Sequence, residues 1–260
     1  MSTVTQPRVV LSEWTKLRSL RSSRISLLVA VGLVVGFGLL IPLISVSNWT
    51  PGDEANRAVY NSVDRSLGGI YLAQLAFGVL GVMLVTGEYS TGMIRATFAA
   101  VPRRLGVLWA KLLVFVAVTL VLGTLACVIA FLGGQAIFAG KHVDAGFGDP
   151  HVARAVLGAG LFLAAMGALG VGLGALLRNT AAGIAALVAL AFVLPVVVNV
   201  LPRAWADSIG PYLPGEAGTA IIAIHPDPQQ LAPWTGLGVL CLWAAVATAL
   251  AAVMLVRRDV

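Results

Sequence analysis

Between two apolar stretches lies "GEYSTGMIRATFAAVPRR", residues 87–104, a short string with charges at both ends of a helix-length middle. This string holds one acid, Glu88, and three arginines, Arg95, Arg103 and Arg104. The chemistry open to such a set is ion pairing and electrostatic docking. Elsewhere the chain has no HExxH, no GxSxG elbow and no pair of acids inside an apolar run. His142, His151 and His225 lack ligand spacing. Cys127 and Cys241 occupy separate apolar runs without CxxC spacing, which fits small buried side chains. "GQAIFAGKH" (134–142) comes nearest to a phosphate loop, but its spacing is wrong and no Ser or Thr follows the lysine. No metal or cofactor site is expected, and ATP has no phosphate loop in this chain to bind.

The elements that must position residues 87–104 are set by lipid. The 260 residues are 59% hydrophobic and 11% charged, with mean hydropathy +0.95. Soluble domains carry roughly a quarter charged residues, so most of this chain must be solvated by a bilayer. Six windows have the ~20 apolar residues that a helical span needs: 25–47, 67–86, 112–139, 155–177, 181–201 and 233–256. None contains Asp, Glu, Lys or Arg. The third, at 28 residues, must tilt or run beyond the lipid. The first is too long for a signal peptide and lacks an A-x-A site, so it reads as an uncleaved span. The expectation is an all-α polytopic membrane protein of one domain.

Charge sets the orientation. Residues 1–24, 87–111, 178–180 and 257–260 hold 12 of the 17 Lys and Arg residues, among them Arg21, Arg24, Lys111, Arg257 and Arg258. The opposite connections, 48–66, 140–154 and 202–232, hold five basic residues and eight of the 11 acids. The positive-inside rule places both termini in the cytoplasm. The net charge of +6 follows from this placement beside the spans, and no nucleic-acid partner is expected.

Within the spans, Gly160, Ala164, Gly167, Gly170 and Gly174 form a flat stripe suited to close helix approach, as do Gly32 and Gly36. Pro195 should kink the fifth span and free a carbonyl. No ionisable group stands in any span, so a proton relay is not expected. Energy for uphill transport would have to enter from a partner. Gln74, Thr119, Thr124 and Asn199 are candidates for a polar pathway lining, and each could equally be a helix-to-helix hydrogen bond.

Three connections carry structure of their own. In residues 7–24, Val10, Trp14 and Leu17 share a face flanked by Leu11 and Leu20, with Ser12, Lys16 and Ser19 turned away. This describes either an interfacial helix or a basic anchor that fixes topology. In 87–104, Ser90 or Thr91 can cap a helix whose start Glu88 favours. Met93, Ile94, Thr97, Ala100 and Val101 share a face opposite Arg95, and Pro102 ends the helix. The product is a rod of about 10 residues, serving either as a docking lever or as an interfacial linker. The connection 202–232 contains "GTAIIAI" between prolines. It is either a helical hairpin capping the outer mouth or a loop packed on the bundle.

This pattern resembles the permease subunit of bacterial type-2 ATP-binding-cassette exporters over essentially the whole chain. The resemblance rests on "EWTKLRSLRSS" before the first span and on "GEYSTGMIRATFAAVPRR" followed by "LGVLWAKLL" after the second. It implies two permeases, paired as a homodimer or with a relative, and two cytoplasmic ATPase subunits that bind ATP and magnesium. Residues 7–24, with Glu13, Trp14, Lys16 and Arg18, would be the elbow helix. Thr91 to Val101 would be the coupling helix seated in the ATPase. Glu88, Tyr89, Thr91, Met93, Ile94, Arg95, Thr97, Val101, Arg103 and Arg104 would carry the coupling, with Lys111 in the return to the membrane. Gly215 to Ile224 would form an outer hairpin near the exit. The implied location is the bacterial plasma membrane and the implied cargo hydrophobic or amphipathic: a drug, lipid or peptide. A non-transporting anchor or sensor using the same rod is the alternative.

Overall fold

In lipid every backbone N–H and C=O must find its partner inside the chain, so apolar runs of this length become helices. The computed structural model describes residues 5–50, 52, 60–101, 104–225 and 229–257, and all its regular elements are helical. Arg103 and Arg258 lie outside the described residues.

Helix α1 (Gln6–Ser19) precedes the first long apolar helix, α2 (Arg21–Ser47). The second crossing is α3 (Ser62–Leu67) joined through Gly68–Gly69 to α4 (Ile70–Ser90), and α5 (Met93–Ala100) follows it. The third is α6 (Arg104–Phe138), and the fourth is α7 (Val152–Leu177). The fifth runs through α8 (Thr180–Val188), a π segment (Ala189–Val193) and α9 (Leu194–Val200). Two short helices, α10 (Arg203–Ile209) and α11 (Pro214–Thr219), lead to the sixth, α12 (Pro233–Arg257). Among the described residues, six helices are therefore long and apolar enough to cross a membrane.

α7 is the axis of the bundle. Most of its apolar window, 83%, is buried, against 22% for the fifth crossing. It packs on α4, α6 and α12. Small residues permit this: a Cβ at Gly170 would collide with the Gly78 carbonyl, and one at Gly81 with the Gly167 carbonyl. Such contact of backbone on backbone gains dispersion energy where no hydrophobic effect operates between helices. Gly32 and Gly36 do not behave this way. Neither has any neighbour within 4 Å of a Cβ, so that face of α2 looks outward. Cys241 is likewise exposed, while Cys127 is buried.

Pro195 has the expected effect in a particular form. Its ring cannot accept a helical neighbour at Ala191, and the chain widens into the π segment immediately before it. The connection 202–232 is helical in its first half and turns without a helix from 220 to 225, and it is built into the bundle. Leu213, Ala217, Ala220, Ile221 and Ile222 are buried, and Gly215 approaches the Ala191 carbonyl to 3.2 Å at the position of its missing Cβ. Arg154 ties the turn down by donating to the carbonyls of Ile221 (3.1 Å) and Ala223 (2.8 Å).

Candidate functional site

The charged string at 87–104 meets α1 and the first turns of α6 at one end of the bundle. α4 does not stop where its apolar window ends. It continues through Glu88 to Ser90, so Glu88 stands at a helix C-terminus, the end that disfavours an acid. What holds it there is cations. Lys111 Nζ donates to Glu88 Oε1 at 2.9 Å and to Glu13 Oε2 at 2.6 Å. Lys16 Nζ donates to Glu13 Oε1 at 2.6 Å, to Glu88 Oε1 at 3.0 Å and, more weakly, to Thr97 Oγ1 at 3.4 Å. Glu13, Glu88 and Lys111 are at most 4% exposed, and Lys16 is half-buried.

Two acids and two ammonium groups thus form a closed, electrically neutral cluster. Each is expensive to desolvate alone, and each is stabilised only by the others. Burial opposes the charge on Lys16, but hydrogen bonds and attraction from Glu13, then Glu88, outweigh it and raise its pKa above the ordinary value of 10.5. Four segments are joined through this cluster: α1 by Glu13 and Lys16, α4 by Glu88, α5 by Thr97 and α6 by Lys111.

The register of α1 makes this possible. Val9, Glu13 and Leu17 are buried, one helical turn apart in sequence, and Val9 packs on Val107 and Ala110 of α6. Gly106 leaves the space that Gln6 occupies. Spacing alone puts Val10, Trp14 and Leu17 on one face and Lys16 on the other, without saying which face meets the bundle. In the structure Trp14 and Leu11 are exposed and Lys16 turns in. The reason is that the outer face of α1 is apolar too, while Glu13 has partners only on the inner one. Arg18 is exposed.

α5 is eight residues long and starts from Gly92, whose φ of 72° is a left-handed conformation that favours glycine. Ser90 and Thr91 do not cap it. Their hydroxyls donate back to the Gly87 carbonyl at 3.0 and 2.8 Å, closing the end of α4. Ile94 is buried, and Thr97, Phe98 and Val101 are half-buried; Arg95 faces outward as spacing predicts, together with Ala96 and Ala99. Met93 is 37% exposed and stands at the edge of that outer face. The Arg104 guanidinium lies 5.7 Å from the Phe98 ring centroid.

A second tie lies beside the first. Arg178 caps α7 with φ 54°, places its guanidinium 5.5 Å over the Tyr89 ring and donates to the Met254 carbonyl at 3.1 Å. Tyr89 is thereby linked to the turn between the fourth and fifth crossings and to the end of α12. Nothing in "RNT" (178–180) marks this role, since a single arginine beside a short turn reads as topology alone.

The four polar candidates within the spans are dispersed. Gln74 is buried and donates to the Tyr71 carbonyl (3.0 Å), and Thr119 donates to the Phe115 carbonyl one turn back (2.9 Å). Thr124 packs against Gly160. Asn199 lines a cavity of about 220 Å³ with Asp207 and Glu216.

The family model described as ABC-2 family transporter protein matches residues 9–202, from the middle of α1 through the fifth crossing. No match was found among curated proteins. The matched region contains the whole charged cluster, all its supporting helices and five of the six crossings. The chain belongs to the ABC-2 family of transporter proteins, as a multi-pass permease subunit.

Proposed function

We propose that this permease exports a hydrophobic or amphipathic cargo with energy from ATP hydrolysed by separate cytoplasmic ATPase subunits. In this reading two permeases and two ATPases assemble, ATP and magnesium are bound by the ATPases, and this chain contributes no catalytic site. α5 is the coupling helix and α1 the elbow. Both termini are cytoplasmic, in a bacterial plasma membrane, a placement supported by the 12 of 17 basic residues on that side.

The observation that carries the reading is the neutral cluster of Glu13, Lys16, Glu88 and Lys111 with Thr97. A rod meant only to connect two spans does not need a hydrogen bond to Lys16, the lysine of α1 that also holds Glu13 and Glu88. Displacing α5 would pull on Lys16, and through it on Glu88 of α4 and, by way of Glu13, on Lys111 of α6. Closure of the ATPases on ATP would displace α5, and the displacement would enter the bundle through the second and third crossings. Arg95, Ala96 and Ala99 with Met93 form the face open to the partner.

The test is co-purification with a P-loop ATPase subunit expressed beside this chain. The wild type is expected to retain the ATPase, and Arg95→Glu or Ala99→Trp to lose it with the permease still folded. Retention by both variants would remove the docking role from α5. ATPase binding without any cargo movement would favour an anchor or sensor.

A further inference from the structure

A cavity of about 230 Å³ opens between α1, α2, α4, α5 and α6, beside the charged cluster. Its walls and its floor differ. Leu27, Leu80, Met83 and Phe115 are apolar, and Met83 is 46% exposed toward the surroundings of the bundle. The other end is formed by Lys16, Glu88 and Lys111 with the hydroxyls of Ser22, Ser23 and Ser26. Glu88 Oε1 takes both ammonium groups, while its Oε2 is buried and receives no donor among the described residues. A buried carboxylate oxygen without a donor is costly, and a donor arriving from the cavity would remove that cost.

We propose that this cavity binds a membrane lipid with a primary-ammonium, phosphate-bearing head group, of the phosphatidylethanolamine kind. The ammonium would donate to Glu88. The phosphate would accept from Lys16, the one partly exposed ammonium of the cluster, and from the serine hydroxyls at the start of α2. An acyl chain would run along Leu80 and Met83. The cluster is already neutral, so a zwitterion fits without unbalancing it. An anionic lipid would add net negative charge to a cluster that is already neutral, and a choline head group has no N–H to give. The site lies where head groups are found, at the end of the apolar windows of α2 and α4. The inference goes beyond the proposed function and needs only that these helices cross a membrane.

The test is lipid retention in native mass spectrometry after reconstitution in nanodiscs of phosphatidylethanolamine or of phosphatidylcholine with the same acyl chains. The ethanolamine lipid is expected to be retained about tenfold more strongly, the factor that follows from one charge-assisted hydrogen bond. Ser26→Phe, which fills the cavity without touching the cluster, should abolish the preference. Met83→Trp, at the exposed wall, should weaken it and serves if Ser26→Phe does not fold. Excess soluble phosphoethanolamine should not displace the lipid, because it lacks the chains. Equal retention of the two lipids by the wild type, or a preference unchanged in both variants, would overturn the proposal. Displacement by soluble phosphoethanolamine would overturn the lipid as occupant.

Discussion

Lys111 and Glu13 are 98 residues apart in sequence, yet Lys111 Nζ stands 2.6 Å from Glu13 Oε2 with both side chains almost wholly buried. The bond crosses from α1 to α6 and closes a ring whose other members are Lys16 and Glu88. Such a ring contributes little net stability over an apolar substitute of the same shape, but it is unforgiving of a missing member. Its value is geometric, because it fixes where three helices meet.

Removing one member should therefore cost far more than removing a pair. Lys111→Met leaves two buried carboxylates to one ammonium and should destabilise the chain by about 3–5 kcal/mol. Adding Glu13→Gln should recover a large part of that loss. Thermal unfolding of the two single variants and the double variant in detergent gives the coupling directly. Simple addition of the two single losses would contradict the closed ring.

Lys16 adds a dependence on pH. Its pKa is raised in the folded chain, so its contribution is complete below the ordinary lysine value of 10.5 and is lost as pH rises through the higher folded value. The melting temperature of the wild type should be flat between roughly pH 7 and 9 and fall above that range. Lys16→Arg, which stays charged throughout, should move the fall to higher pH.

The glycine contacts predict a contrast between two apolar helices. Gly170→Val would drive a side chain into the Gly78 backbone and force α4 and α7 apart, at a cost of about 1–3 kcal/mol or more. Gly36→Val meets open space and should leave the unfolding temperature of the isolated chain unchanged.

At the far end, Arg154→Met removes both donors that hold the 221–223 turn. Residues 213–225 should then become accessible to protease in folded protein, with the rate at the basic end unchanged. Equal protection in the variant would mean that the buried apolar side chains alone hold this connection.

The crossings were legible because length and apolarity are all that a bilayer asks, and each window falls within, or to one residue of, an observed helix. The rod was legible from its apolar spacing and Pro102, but not its start, which is Gly92 where the hydroxyls of Ser90 and Thr91 suggested a cap. The register of α1 was not. Counting apolar positions favours the Trp14 face, and nothing local indicates that Glu13 has a partner, Lys111, 98 residues away. The same gap hid the extent of α4: an acid at residue 88 reads as the end of a span unless the two lysines that neutralise it are known. Gly32–Gly36 and Gly167–Gly170 look alike in sequence, yet only the second pair has a helix against it. Spacing identifies a surface suited to close approach and leaves the partner unspecified.

The central claim is that the cluster and α5 pass energy between a partner ATPase and the bundle. Its most direct test is ATP hydrolysis in lipid nanodiscs by this chain co-purified with its P-loop partner, as wild type, Met93→Glu and Glu88→Ala. The account predicts that the partner co-purifies with the wild type and hydrolyses ATP at a rate set by the permease. Met93→Glu should detach it, and Glu88→Ala should leave it bound but insensitive to the permease. If no partner binds, or both variants match the wild type, residues 87–104 are an interfacial linker and the ATP-driven mechanism is contradicted.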